Sequence, residues 1–339
     1  AGGTSQNAKG QESTLFVQGI GRTVQEAILD TTLSFDRSLY YPHNYVIIFG
    51  EEFAKGGISD YLDILSRGNQ QREQAYMCVA KGSKAYEIMG INSGLAESPG
   101  KNILEIIEQD NLSSKTRNLT VYEFFRYFYI PSEEITIGVI EKVNKKQVNK
   151  NENSQVSEID ALRVEGGAVF NKERLIGYLT GDEMIGFNFL VNQLKFALLI
   201  FDIPEKLVES SKIITESSAL STFYIFKSST KLDVKEQEGK LHLFVDVNFR
   251  GSLKEVNKGI DISKPGVMNE LEKACANKAK EHISMVLEKA QKEFGGIDTF
   301  GISSIVHRKY PELYKEIIDN WPAIFRDMEY TINVEAKIN

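Results

Sequence analysis

Met268, Leu271, Cys275, Ala279, Ile283, Val286, Leu287, Ala290 and Phe294 recur every three or four positions until Gly295-Gly296 ends the run. This spacing predicts a long α-helix with one continuous apolar face, which other elements must cover. Asp261-Ile-Ser-Lys-Pro-Gly266 opens it, because Ser or Asp satisfies free amides and Pro is tolerated in a first turn. Ahead of the helix, residues 222–227, 241–250 and 253–257 alternate apolar and polar side chains like antiparallel strands. Behind it come helical patterns at 310–318 and 321–325 and a closing strand at 328–338. Strands, then helices, then a strand predict an antiparallel sheet with helices packed on it, and residues 196–339 are read as this C-terminal domain.

The first hundred residues follow another pattern. Thr14-Leu-Phe-Val-Gln18 reads as a strand, and Thr23-x-x-Glu26 is a capping box for a helix over 23–37. Tyr45-Val-Ile-Ile-Phe49 and Ala75-Tyr-Met-Cys-Val-Ala80 are continuous apolar runs, as expected for strands covered on both faces. A helix over 58–68 separates them, and Ser83 is read as the cap of a short helix ending at Met89. Residues 1–95 are therefore read as an N-terminal domain with α/β alternation, bounded by the Gly-, Ser-, Asn- and Pro-rich stretch 90–101.

Residues 96–195 are read as a middle α+β domain. Helices are expected at 103–109, 121–129 and 181–193, and strand pairs at 135–140 with 159–164 and at 167–170 with 175–179. The linking segment 144–157 is rich in Lys, Asn and Gln and reads as a mobile hairpin tip. The fold class expected is thus α+β, in three domains, each with a mixed or antiparallel sheet and packed helices.

A chain of 339 residues carrying 40 basic and 47 acidic side chains, a formal charge of -7, has the wrong balance for tracking phosphate backbones, so nucleic acid is not expected as a partner. No stretch reaches the ~18 apolar residues of a membrane span. Residues 1–12 are polar and Gly-rich, with the pattern of neither a signal peptide nor an anchor, although a precursor carrying a signal sequence is compatible with this. The two cysteines, Cys78 and Cys275, read as small core hydrophobes, and both a cytosolic and an unstapled secreted setting stay open.

Few residues carry a pattern that points to chemistry. Gly19-Ile-Gly21 begins like a dinucleotide loop, but Val24 stands where the third glycine belongs. A tight strand-to-helix connection explains the two glycines; the alternative is a small-molecule or nucleotide-binding domain, or an enzyme, that cradles an anion there. His43, His242, His282 and His307 are too far apart for a local metal motif. The carboxylate pairs Glu51-Glu52, Glu133-Glu134 and Asp182-Glu183 stand at helix or strand starts, where solvation or a helix dipole accounts for them. The basic stretch 142–150 is a solvated loop or an attraction to an anionic membrane surface. His307-Arg308-Lys309-Tyr310-Pro311 reads first as capping and packing, then as a partner contact. No catalytic, cofactor-binding or metal-binding residue is assigned, no cofactor is expected, and the partner-binding surface is not readable.

An ordered set of short motifs adds to this. It comprises Gly19-Ile-Gly-Arg-Thr23 with Glu26-Ala27, His43-Asn44-Tyr-Val-Ile47, Gly50-Glu-Glu-Phe-Ala54 with Gly57-Ile58, and Leu62-Asp63-x-Leu65-x-Arg67. It continues with Gly167-Ala-Val-Phe170, Leu175-Ile-Gly-Tyr-Leu179 and Glu183, then Gln291, Asp298, Phe300-Gly301, Arg308-Lys309-x-Pro311, Trp321 and Phe325. In this order the chain resembles the Ger(x)C spore germination lipoproteins, the C subunits of nutrient germinant receptors. The resemblance implies a three-domain α+β protein without catalytic residues. It also implies a lipidated N-terminal cysteine on the outer face of the spore inner membrane, and the receptor's A and B membrane subunits as partners. Ala1-Gly2-Gly3 carries neither lipobox nor cysteine, so the anchor is implied by the resemblance alone.

Overall fold

The computed structural model describes residues 14–35, 41–67, 73–91, 98–109, 112–130, 134–148, 156–209, 220–256 and 260–339. The polar beginning 1–12, Glu133 and the hairpin tip at 149–155 lie outside them.

The two continuous apolar runs form β1 (Val46–Gly50) and β2 (Tyr76–Lys81), paired in parallel with Val46 beside Tyr76. Cys78, Val79 and Ala80 are all buried, because helices cover both faces. On one face, α2 (Glu51–Gly56), α3 (Ser59–Arg67) and α6 (Val121–Phe128) enclose Phe49, Ile58, Leu62, Met77 and Phe124. On the other, α4 (Ala85–Met89) and α5 (Pro99–Gln109) cover Cys78, Ala80, Ile88, Ile103 and Ile140. At α4 the Glu87 carboxylate accepts from the Lys84 amide, so Lys84 and not Ser83 stands at the helix start.

The long hairpin of β4 (Ile135–Val148) and β5 (Val156–Asn171) continues the same sheet, β4 lying parallel to β2 with Gly138 beside Cys78. A tight turn leads into β6 (Arg174–Leu179), and the two-residue β3 (Leu119–Thr120) pairs with β2. The sheet order is β1-β2-β4-β5-β6. The division placed near residue 95 therefore falls inside one hydrogen-bonded sheet, because the segment beyond it returns a strand parallel to β2.

After α7 (Gly181–Leu190) the chain builds a second sheet from β7 (Ala197–Asp202), β8 (Leu220–Gln237), β9 (Lys240–Glu255) and β10 (Glu329–Ile338), in the order β10-β9-β8-β7. The short α8 (Glu205–Glu209) follows β7. The sheet is mixed rather than antiparallel, since the three-helix return that precedes β10 brings it alongside β9 in parallel, Glu329 beside His242. Residues 241–250 and 253–255 are one strand. The apolar stripe forms α9 (Val267–Glu288), whose Leu271, Cys275, Ala279, Ile283 and Val286 pack on Phe223, Ile225, Val245 and Phe249. A π-helical turn, Lys289–Glu293, ends it, followed by Gly295 and Gly296 at φ 72° and 92°. Then come α10 (Ile302–Lys309), which the sequence pattern did not indicate, α11 (Pro311–Ile317) and α12 (Trp321–Arg326). Two mixed sheets with packed helices, rather than three sheets, make up the α+β fold among the described residues.

The expected strand at 14–18 does not form. Residues 14–21 carry no strand pairing, and Gly19 and Gly21 pack on α1 (Val24–Ser34), which is shorter than expected.

Candidate functional site

The two sheets meet at α7. Its first turn is set locally: the Thr180 hydroxyl accepts from the Glu183 amide (3.3 Å), and the Glu183 carboxylate accepts from the Thr180 amide (2.6 Å). Every α7 residue except Asp182 is buried, as a helix surrounded on all sides requires. Both Glu183 oxygens also accept from Lys289 Nζ at 2.9 Å, and the two side chains are only 10% and 16% exposed. This pair ties the start of α7 to the end of α9.

Close packing continues along the helix. A Cβ on Gly186 would lie 2.0 Å from the His282 carbonyl oxygen, so α7 and α9 cross in backbone contact. A Cβ on Gly167 of β5 would lie 2.4 Å from Met184 Sδ, and one on Gly177 of β6 would meet the Phe294 ring at 2.5 Å. Asn188 donates through Nδ2 to the carbonyls of Ser114 and Thr116, both at 2.9 Å. Thr116 in turn donates to the Gly166 carbonyl of β5 (2.7 Å). The Arg117 guanidinium sits 4.7 Å from the Tyr127 ring centroid and 5.2 Å from that of Phe187, a cation held between a first-sheet helix and α7.

A second seam lies at Asp298. Its carboxylate is buried and accepts from the amides of Phe300, Ile302 and Ser303 and from Trp321 Nε1, at 2.7–3.2 Å. One side chain thereby fixes the loop, the start of α10 and the indole of α12. Gly301, at φ 79°, makes the turn that a side chain would strain. Gln291 donates to the carbonyls of Phe325 and Met328 at 2.9 and 2.8 Å. The backbone of this loop reaches the first sheet: the Glu134 amide donates to the Asp298 carbonyl (3.1 Å), and the Thr136 and Thr299 hydroxyls bond at 2.8 Å. Glu183, Gly167, Gly177, Gln291, Asp298, Phe300, Gly301, Trp321 and Phe325, scattered in sequence, thus assemble around one junction. Its contacts are close backbone packing, hydrogen bonds and one buried ion pair.

The remaining candidates do not assemble. His242 Nε2 bonds the Thr331 hydroxyl (2.9 Å), His307 stacks on Tyr314 (4.5 Å), His282 is buried in α9, and His43 ends a 3₁₀ turn. Among the described residues no group of three His, Cys, Asp or Glu side chains could hold a metal ion. Burial pushes the Cys78 thiol up to about 12 and raises that of Cys275 as well, which leaves both as unreactive thiols at neutral pH. Glu51 is held below the usual carboxylate range by Lys55 and then by the Gly82 amide, whereas burial raises Glu134, which accepts from the Lys172 amide at 2.6 Å. Lys309, in the cationic cluster, bonds Asp233 at 2.7 Å and the Val234 carbonyl at 2.9 Å. In the basic stretch, Lys142 pairs with Asp160 at 2.7 Å.

The anion-cradle alternative at Gly19-Ile-Gly21 is corrected by the geometry. A Cβ on Gly19 would lie 1.9 Å from the Ala27 carbonyl oxygen and one on Gly21 2.4 Å from the Ala27 amide nitrogen, so α1 itself occupies the space. The Ile20 amide donates to Asp30 (2.8 Å) and the Arg22 amide to Glu26 (2.7 Å), placing two carboxylates where an anion would bind. One cleft, of about 630 Å³, lies beside α7 and is lined by Glu73, Arg117, Glu123, Arg126 and Lys195 among others. A second of about 390 Å³ is mostly apolar, between the β8–β9 turn and α11–α12. A third, of about 360 Å³, runs along β1.

The chain is thus of a two-sheet α+β class in which Gly167, Gly177, Glu183 and Asp298 stand where the two sheets meet. The family described as spore germination protein N-terminal domain matches residues 1–142, and that described as spore germination B3/GerAC like, C-terminal, matches residues 165–339. The chain belongs to the B3/GerAC-like family of spore germination proteins. It is 26% identical to spore germination protein KC of Bacillus subtilis (strain 168) over 354 residues, spanning 99% of this chain and 81% of that protein. The putative spore germination protein YfkR of the same organism is 22% identical, over 91% of this chain and 74% of its own length. Among solved structures, the crystal structure of the GerBC protein matches with a TM-score of 0.63 and 20% identity, covering 92% of this chain and 84% of that one, which bears on the fold alone.

Proposed function

We propose that this chain is the C subunit of a spore nutrient germinant receptor, acting without catalysis in receptor assembly or signal coupling. In this reading it stands on the extracytoplasmic face of the spore inner membrane, attached through an N-terminal lipid, and contacts the receptor's A and B membrane subunits. One acyl chain alone gives marginal membrane binding, so protein contacts share the retention. Among the described residues no helix is long and apolar enough to cross a membrane, which is compatible with attachment by lipid. The observation that supports the reading is that motif residues of the middle and C-terminal regions, among them Gly167, Glu183 and Asp298, meet at the junction of α7 and the Asp298 loop. A protein that must pass a change of position from one partner to another needs its two sheets to move as one body.

The experiment is a pull-down from spore membranes with the lipidated full-length protein, with and without the A and B subunits, read by mass spectrometry. Co-purification with both subunits is the expected result, and recovery alone or with unrelated enzymes would overturn it. A thermal-shift screen against nucleotides and amino acids is expected to be flat, where a ligand at a hundred times its dissociation constant would add ~2.7 kcal/mol.

A further inference from the structure

β1 is the edge strand of the first sheet, and among the described residues nothing pairs with its outer side. The Tyr45 carbonyl accepts from the Tyr76 amide of β2. Since the amide and carbonyl of one strand residue point to the same side, Tyr45, Ile47 and Phe49 face β2, and Val46 and Ile48 turn their backbone groups outward. The outer side carries none of the usual protections of an edge, such as a lysine, a proline or a bulge within Val46–Gly50. Instead a cleft of about 360 Å³ runs along it, lined by Val46, Ile48, Gly50, Phe53, Tyr61 and Val24 of α1.

The segment that enters α1 forms no strand and pairs with no sheet. Thr14-Leu-Phe-Val-Gln18 has a strand's composition, yet Leu15, Phe16 and Val17 are 69%, 56% and 42% exposed, and Ile20 is 74% exposed. Gly19 packs against Ala27 and Thr31, and Gly21 against Glu26 and Ala27, so the chain approaches α1 running opposite to the helix direction. That is the arrangement of a strand and helix in a β-α-β unit. The next strand of such a unit is β1, and residues 19–45 are long enough for the crossover to parallel pairing. A right-handed crossover of this kind is the usual hand. Five residues of extended chain match the five residues of β1, each spanning about 16 Å.

We infer that the outer edge of β1 is a strand-acceptor site, and that residues 14–18 of this chain fill it by parallel pairing. In the closed form Val46 and Ile48 gain backbone partners, and the apolar side chains at 15–17 leave solvent. In the open form residues 14–18 stand unpaired and Val46 and Ile48 have no strand partner on the outer side among the described residues. Exchange between the two makes the N-terminal segment a strap over the first sheet.

Residue-resolved amide hydrogen exchange on the full chain tests this, following Val46 and Ile48. The closed form predicts that both amides are protected in the full chain, and that Phe16→Asp with Val17→Asp speeds their exchange at least tenfold. Leu33→Asp, on an exposed α1 position outside the strap, is expected to leave them unchanged while the Trp321 fluorescence melt stays as in the parent. Equal exchange rates in the parent and the double variant would overturn the proposal, as would equal acceleration by Leu33→Asp. Protection that appears only at high protein concentration would assign the edge to a second copy and overturn the intrachain strap.

Discussion

α1 and α7 begin alike and end differently. Each is entered through a threonine whose hydroxyl accepts from the amide of a glutamate three residues on, Thr23 with Glu26 and Thr180 with Glu183. Yet Leu29 and Leu33 of α1 are 56% and 79% exposed, while Met184, Phe187 and Phe189 of α7 are fully buried. The shared capping motif decides where each helix starts. What separates them is the next shell: α7 has a glycine to cross α9, an ion pair to Lys289 and an asparagine reaching the first sheet, and α1 has its neighbouring segment and a limited contact with α3. Local sequence builds a helix; nonlocal partners make it part of a core.

That contrast makes four predictions, from the largest effect to the smallest. Asp298→Ala leaves four buried donors without their acceptor and is expected to lower stability by about 4 kcal/mol in urea unfolding. A loss below about 1 kcal/mol would mean that the loop re-forms without the carboxylate. Gly186→Val forces side-chain atoms into the α9 backbone and should cost about 3 kcal/mol, with the unfolding midpoint as the readout. Tolerance of valine there would show that the two helices can separate without loss.

His282 gives the third. Burial lowers its pKa, outweighing Asp182 and Glu281, which favour the charged imidazole, while Lys278 adds to the lowering. The folded state therefore holds a neutral ring where the unfolded chain takes up a proton near pH 6.5. Its contribution to stability is present above about pH 6.5 and is lost as the pH falls from there toward the lowered folded value, at no more than ~1.4 kcal/mol per pH unit. Unfolding midpoints of the parent and of His282→Gln across pH 7.5 to 5 check this, and parallel curves would contradict it. The fourth pits the two caps against each other. Thr180→Ala is expected to lower global stability by about 1 kcal/mol, whereas Thr23→Ala should loosen α1 with a global effect under about 0.5 kcal/mol. Equal losses would erase the contrast between the helices.

The sequence carried much of the fold where a pattern is local. The apolar runs at 45–49 and 75–80 became β1 and β2, and the apolar stripe became α9. It fell short where partners decide. Thr14-Leu-Phe-Val-Gln18 has a strand's composition without a strand's neighbours. The second half of β8 escaped notice because the polar run Lys227-Ser-Ser-Thr-Lys231 breaks the apolar alternation, which resumes for only Leu232 and the buried Val234. α10 was hidden inside a cationic cluster whose lysine, Lys309, bonds back to β8. The parallel placement of β10 depends on the path of three helices and has no signature within residues 328–338. At the junction the residues themselves were named by the resemblance, yet their assembly was not legible. Thr136 and Thr299 are 163 positions apart, and neither differs locally from any other threonine.

Urea unfolding of the whole chain, followed at once by the fluorescence of Trp321 and by amide exchange in β2, tests most directly whether the junction makes one body of two sheets. Trp321, the chain's single tryptophan, reports the Asp298 loop, and β2 reports the centre of the first sheet. Coincident transitions in the parent, shifted together to lower urea by Gly186→Val, are the predicted result. Two separate transitions, with the variant moving only the tryptophan signal, would show that the sheets fold independently and would contradict the coupling role.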